Sequence, residues 1–298
     1  MNCFSACTDY IRRWCPLGAL LLVTACGVSD SADNGESLEY SVHYAIRPEP
    51  GSSSVVVELR LQQPRGLLRE ISFPIGADIS RLDGDGELVT FDERVHWQPP
   101  AGGGSVRWRA TVHSERGDKS FDALLGPTWG LFRIEDIIPR ARTRTLKGAV
   151  SRTTLAFELP PGWSVITEYS ARETPIVVDR ADRRFDEPTG WIAMGDLGVR
   201  RETIAGTRVV VAAPTEHGVR RMDMLALLNW ALPELAAFMP DALPRLTIIS
   251  AGPPMWRGGL SGPASFFIHA DRPLVSENAT SPLLHEVMHT ALGIQSRP

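Results

Sequence analysis

From about Leu38 to Ala213 the chain repeats one pattern, in which apolar and polar side chains alternate over short runs. Val55, Val57, Leu59 and Leu61 alternate with Val56, Glu58 and Arg60. Val106, Trp108, Ala110 and Val112 alternate with Arg107, Arg109 and Thr111. A period of two with one apolar face predicts antiparallel strands buried on one side. Turn chemistry separates the runs: Asp83-Gly-Asp-Gly86, Pro99-Pro-Ala-Gly-Gly-Gly104, Pro160-Pro-Gly162 and Asp186-Glu-Pro-Thr-Gly190. Short strands at this spacing predict a β-sandwich. The Asp83–Gly86 stretch lacks the downstream Glu of a calcium loop and reads as a hairpin turn. Phe121 to Arg144 is less regular, and Trp129, Phe132, Ile134, Ile137 and Ile138 are expected to pack one edge of the sandwich. Arg140, Arg142 and Arg144 alternate as a solvated strand face, with an anion site as the alternative.

The period changes after Pro214. Met222, Leu225, Leu228, Leu232, Leu235 and Met239 recur at steps of three and four, which predicts a helix over about 219–238, with Pro233 as a kink site. Leu246-Thr-Ile-Ile249 reads as a buried strand and Ser265-Phe-Phe-Ile-His269 as another. Between them lies a glycine-rich loop, Arg257-Gly-Gly-Leu-Ser-Gly-Pro263, with no lysine and no helix directly behind it, which argues against a phosphate loop. Ser281 to Gly293 reads as a last short helix: Ser281 as N-cap, Pro282 in the first position, Gly293 as the stop.

That helix carries chemistry. His285 and His289 are four apart and project from one face, with Glu286 about 100° round the helix. His-Glu-x-x-His is the arrangement of zinc hydrolases, in which two imidazoles bind the metal and the carboxylate takes a proton from the water that the metal activates. Leu283, Leu284, Val287, Met288, Ala291 and Leu292 leave almost no polar face, so the helix is expected to be buried all round. A buried Glu and two buried His are costly unless paired, and a divalent cation pairs all three. The alternative is a core helix with satisfied histidines.

Composition narrows the setting. The chain has 298 residues, 43% hydrophobic and 22% charged, with a net charge of −4, so neither nucleic acid nor an anionic membrane surface is an expected partner. Arg12 and Arg13 precede a short apolar run, Leu17 to Thr24, well under the roughly 18 apolar residues of a membrane span. The run ends in Val23-Thr24-Ala25-Cys26, which resembles the lipobox of bacterial lipoproteins. The resemblance implies a signal peptide over 1–25, a lipid on Cys26 and attachment to the membrane through it. A plain secretory signal is the alternative. Gly27 after Cys26 gives no Asp-type inner-membrane retention signal, which points to the outer membrane. Residues 26–37 read as a flexible tether. Cys3, Cys7, Cys15 and Cys26 are the only cysteines, so the body of the protein has no thiol for a disulfide, a zinc site or a nucleophile.

Strand, glycine-rich loop, strand and His-Glu-x-x-His helix follow the order of thermolysin-like peptidases. Gly258-Gly-Leu-Ser-Gly-Pro-Ala-Ser-Phe-Phe-Ile-His-Ala-Asp-Arg-Pro273 with Leu283-Leu-His-Glu-Val-Met-His-Thr290 resembles the glycyl aminopeptidase family, related to aminopeptidase N within the gluzincins. The resemblance implies an α+β fold with a β-sandwich over 38–213 and the first part of a catalytic domain over 214–298. It implies zinc held by His285 and His289, with Glu286 as general base. It implies a peptide or protein substrate lying along an edge strand around Ser265 to Ile268, with Gly259, Leu260, Ser265, Phe266 and Phe267 as binding residues. His269 is expected near the site but not as a ligand. Gluzincins take a third ligand from a Glu on a following helix, whereas Thr290 to Pro298 carry no carboxylate and no His. The metzincin pattern also fails, since Leu292 and Gln295 stand where it needs Gly and His. The expectation is a truncated zinc peptidase, inactive as given. The alternative is a non-catalytic envelope lipoprotein whose β-domain binds a partner and whose motif is vestigial.

Overall fold

The computed structural model of the chain describes residues 38–295 except 118, 170–173, 179–184, 240 and 242. The expected signal segment, the tether and Cys26 lie outside the described residues. Among the described residues the strands form four sheets.

The first sheet has the order β14 (Ile176–Val178), β12 (Val150–Phe157), β1 (Glu39–Glu49), β2 (Ser54–Gln62), β7 (Gly103–Thr111) and β4 (Ile79–Gly84). The second is β11 (Arg142–Thr145), β3 (Leu68–Pro74), β6 (Arg94–Gln98) and β5 (Glu87–Phe91). The third is β13 (Ser164–Ile166), β15 (Trp191–Gly195), β10 (Trp129–Arg133), β9 (Ser120–Leu125) and β8 (His113–Arg116). One continuous core lies between them. Val55, Val57, Leu59, Leu61, Val106, Trp108 and Ala110 face it from the first sheet, as the alternation predicts. Ile71, Phe73, Val95 and Trp97 meet them from the second, and Phe132, Ile192 and Met194 from the third. The Phe73 and Trp108 rings lie 5.2 Å apart, and the Trp108 indole N–H donates to the Ile137 carbonyl at 2.8 Å. Ile137 ends a one-turn helix, α1 (Ile134–Ile137).

The Asp83–Gly86 turn departs from expectation. It does not close a hairpin, because β4 belongs to the first sheet and β5 to the second. Asp85 fixes this change of sheet: its Oδ2 accepts from the Ser105 backbone N–H at 2.8 Å, and its carbonyl accepts from the Trp97 indole at 2.6 Å.

The fourth sheet positions the candidate site. Its order is β16 (Leu197–Ile204), β17 (Thr207–Pro214), β18 (Arg245–Ala251), β20 (Ser265–His269) and β19 (Gly259–Gly262). β17, β18 and β20 run parallel, while β16 and β19 are antiparallel to their neighbours. The crossover from β17 to β18 is α2 (Arg221–Ala236), which buries Met224, Leu225, Leu228 and Leu232. The expected boundary between 213 and 214 falls inside this sheet, because β17 pairs with β18 and β16 pairs with β17. α3 (Pro282–Ala291) lies on the same face as α2.

Alternation assigns each face of the fourth sheet. Val209, Val211, Leu246, Ile248, Phe266 and Ile268 meet the helices. Ile249, Ala251, Leu260 and Phe267 meet Trp129, Leu131, Trp191 and Ala193 on the outer face of the third sheet. The third sheet is thus buried on both sides. The molecule is α+β: a β-rich N-terminal part, followed by a mixed sheet that carries the helices.

Candidate metal centre

Local signals build α3 as predicted. The Ser281 hydroxyl accepts from the Leu284 N–H at 3.2 Å, and Pro282 opens the helix, where a missing N–H costs nothing. Gly293 takes a left-handed conformation with φ of 67°, and the Ile294 N–H closes onto the His289 carbonyl at 2.8 Å. The helix is not buried all round. Leu283 and Val287 are buried against the sheet, while His285 and Leu292 are exposed. Among the described residues a packing surface meets the helix on one side only.

Glu286 points inward with 7% exposure, and the two histidines flank it towards solvent. The His285 and His289 ring centroids are 4.2 Å apart. One potential ligand atom from each of His285, Glu286 and His289 lies within 4.8 Å of the others. Glu286 Oε2 and His289 Nδ1 are buried without a hydrogen-bond partner among the described residues. Stranded polar atoms of this kind are costly unless something pairs them. Burial raises the Glu286 carboxyl above its ordinary value, and charge on His285 and on Arg272 opposes that rise. Two imidazoles beside a carboxylate suit zinc among common divalent ions. The donor set therefore fits the ion, one ligand short of the three protein ligands of catalytic zinc sites. Among the described residues no further His, Cys, Asp or Glu joins the group.

The strand that backs the site is β19. Gly259 and Ser261 face α3. A Cβ on Gly259 would stand 2.6 Å from Glu286 Oε1, so the absence of a side chain there makes room for the carboxylate. The Ser261 hydroxyl donates to the Ile294 carbonyl at 2.8 Å and ties down the chain after the helix.

The expectation of an edge at Ser265 to Ile268 is corrected. β20 is paired on both sides, by β18 and β19, and every residue in it is buried. Among the described residues the free edge belongs to β19. Ser265, Phe266 and Phe267 are therefore structural. The Ser265 hydroxyl accepts from the Trp191 N–H at 3.0 Å and donates to the Pro263 carbonyl at 2.9 Å. Phe266 packs under the helices, and Phe267 lies 5.7 Å from the Trp191 ring. Leu260 sends its side chain into the same apolar layer, so only its backbone remains on the edge. Buried His269 accepts from the Asp271 N–H at 3.1 Å and stays out of the histidine pair. Sequence reasoning missed the charge of Arg272 on Glu286 and the contact of Gly259 with it, since both arise from tertiary packing.

No known family profile matches the chain, and no curated protein sequence matches it either. Solved structures do match. The aminopeptidase N family protein from Idiomarina loihiensis superposes with a TM-score of 0.58 at 16% identity, over 80% of this chain and 45% of that one. An M1 zinc metallopeptidase from Deinococcus radiodurans matches with a TM-score of 0.48 at 15% identity, over 85% and 62%. A variant of that enzyme bound to a Tyr-Ser-Ala substrate matches with 0.46 at 13%, over 85% and 63%. The chain thus spans less than half of the Idiomarina protein and less than two thirds of the Deinococcus one. The first likeness shows that the chain shares its fold with part of the Idiomarina protein.

Proposed function

We propose that this chain is part of a zinc-dependent peptidase, an aminopeptidase of the glycyl aminopeptidase kind. The observation that carries the reading is the buried carboxylate of Glu286 beside two histidine rings, with Glu286 Oε2 and His289 Nδ1 lacking partners among the described residues. His285 and His289 hold the metal. Zinc, when bound, supplies a Lewis acid at the peptide carbonyl and a more acidic water. Glu286 would take a proton from the attacking water and pass it to the leaving amine, and burial shifts its carboxyl in the direction that suits a base. The open edge of β19 offers its backbone to an extended peptide, with Gly259 beside the base and Leu260 next to it.

The sandwich serves as the N-terminal domain, and the site-bearing part includes the sheet that starts at β16. Residues 26–37 tether this body to the outer membrane through a lipid on Cys26. Incorporation of labelled palmitate into the wild type but not into Cys26→Ala tests the anchor.

The test of the peptidase is metal content together with turnover, both measured on the chain extended at its C-terminus so that a third ligand is supplied. The wild type is expected to retain zinc, and His285→Ala or His289→Ala to lose it. Glu286→Gln is expected to keep zinc and to cut hydrolysis of aminoacyl anilides or peptides by about 10²- to 10⁴-fold. Turnover unchanged in Glu286→Gln overturns the assignment. The group of only three candidate ligands favours a second reading, a lipid-anchored binding protein with a vestigial motif. Absence of both zinc and turnover in the wild type selects it.

A further inference from the structure

The cleft of about 550 Å³ at the other end of the fourth sheet belongs to no part of that chemistry. One wall is the segment 166–169 that follows β13; the other is the face of β16, β17 and β18 turned away from the helices. The register decides which side chains enter it. Thr203 pairs with Arg208 and Arg201 with Val210 across β16 and β17, while Arg208 pairs with Arg245 and Val210 with Thr247 across β17 and β18. Paired residues share a face, so Arg201, Arg208 and Arg245 all stand on the cleft side. Their sequence neighbours Val209 and Leu246 lie in the helix-facing core, which fixes the assignment.

Among the described residues, basic side chains outnumber acidic ones on the cleft side. Arg245 approaches Glu168 at 4.0 Å and lies 5.4 Å from the centre of the Tyr169 ring. Glu168 is buried and also accepts from the Thr189 hydroxyl at 3.3 Å. Glu202 offers no second neutralising charge, because it points to the opposite face and accepts from the Asn229 amide of α2 at 2.8 Å. Among the described residues Arg201 and Arg208 have no acidic partner. Like charges on neighbouring strands repel, and a low-dielectric wall behind them raises the local potential for anions. Thr167, Thr203 and Thr247 add hydroxyls to the lining. The volume is in the range of sites for small organic molecules, larger than a single inorganic ion needs.

We propose that this cleft binds a small organic anion carrying two or more carboxylate or phosphoryl groups, gripped by Arg201 and Arg208 at the mouth and by Arg245 beside Tyr169 at the inner end. Guanidinium groups suit both chemistries, since each offers a planar fork of donors to paired oxygens. The ligand bridges the 166–169 segment and the fourth sheet, so its binding stabilises the packing between them.

Isothermal titration of the purified full chain tests this with three probes: tricarballylate, inorganic phosphate and, as monoanion control, acetate. At least one of the first two is expected to bind saturably, one per chain, and to raise the thermal midpoint by linkage. Tricarballylate alone assigns a carboxylate ligand, and phosphate alone a phosphoryl ligand. Arg201→Gln and Arg208→Gln are each expected to weaken that binding by about tenfold or more, the loss of a charged hydrogen bond. Zinc retention is expected to stay unchanged in both. Should Arg208→Gln fail to fold, Arg201→Gln on the edge strand carries the test. No saturable binding of either probe, or affinity unchanged in the variants, overturns the proposal. Equal binding of acetate does so too, as it shows an adventitious anion only.

Discussion

Gly259 is the residue on which the placement of the Glu286 carboxylate most depends. A methyl group there would reach within 2.6 Å of Glu286 Oε1. One side chain is in the way, with Cγ and Cδ of Glu286 at 2.8 Å as well, and it must swing aside, so Gly259→Ala is expected to lower the thermal midpoint only modestly. Turnover should fall by about tenfold or more, as misplacement of a catalytic group by a fraction of an ångström does. A variant as active as the wild type refutes the role. The His-Glu-x-x-His residues and the caps at Ser281, Pro282 and Gly293 were legible in the sequence, because their signals lie within one helix. The fit of Gly259 to Glu286 was not, because it joins a strand to a helix from which β20 and a loop separate it in sequence.

Asp136 supports a prediction for pH. Its Oδ2 accepts from the Arg133 N–H at 2.8 Å at the start of α1. The crowded surroundings raise its carboxyl from the ordinary 3.8 to about 6, with burial as the main cause and Glu135 and Asp122 adding to it. The folded state holds that proton to a higher pH than the unfolded chain. The contribution is fully present below the unfolded value and is lost as pH rises through about 6. Part of Asp136 faces water, so the effect is a fraction of what full burial gives. Asp136→Asn is expected to flatten the fall in thermal midpoint between about pH 4 and 6. An identical slope in the variant refutes it.

Among the elements, α3 and β20 illustrate what a hydrophobic run can and cannot say. Ser265 to His269 is apolar almost throughout, which is the mark of a strand buried on both faces and paired on both edges. Gly259 to Gly262 is short and glycine-rich, as edge strands often are. That contrast was present in the sequence and would have assigned the edge correctly; the family resemblance pointed to the other strand. In α3 the apolar stripe was legible, but its uncovered side was not, since a pattern does not reveal how many neighbours a helix finds. Leu283 is fully buried between α3 and the sheet. Leu283→Ala is expected to destabilise the protein by about 2–5 kcal/mol, against about 1 kcal/mol for Ser281→Ala at the N-cap. Denaturant titration of both variants checks the order, and equal effects refute the packing described.

For the molecule as a whole, the layers run from sandwich through the third sheet to the fourth sheet and the helices, with the third and fourth sheets each lending both faces to a core. The change of period after Pro214 marks where the first helix begins, not where the site-bearing sheet does. β16 and β17 keep the alternation of the sandwich strands, so composition alone could not separate them. A polypeptide beginning at Pro214 lacks the strands that cover one edge of β18 and the layer of Trp129, Leu131, Trp191 and Ala193 behind it. It is expected to show no cooperative thermal transition by circular dichroism, whereas the full chain does. A sharp transition in the fragment refutes this account.

The layer behind β19 has a mechanical result. Leu260 is wedged against Trp191 and Phe267, and Gly259 is held from the front by Glu286. A rim braced from both directions cannot recoil to suit a guest. It acts as a straightedge, so discrimination there would turn on how readily an incoming chain lies flat rather than on how far the protein bends to meet it.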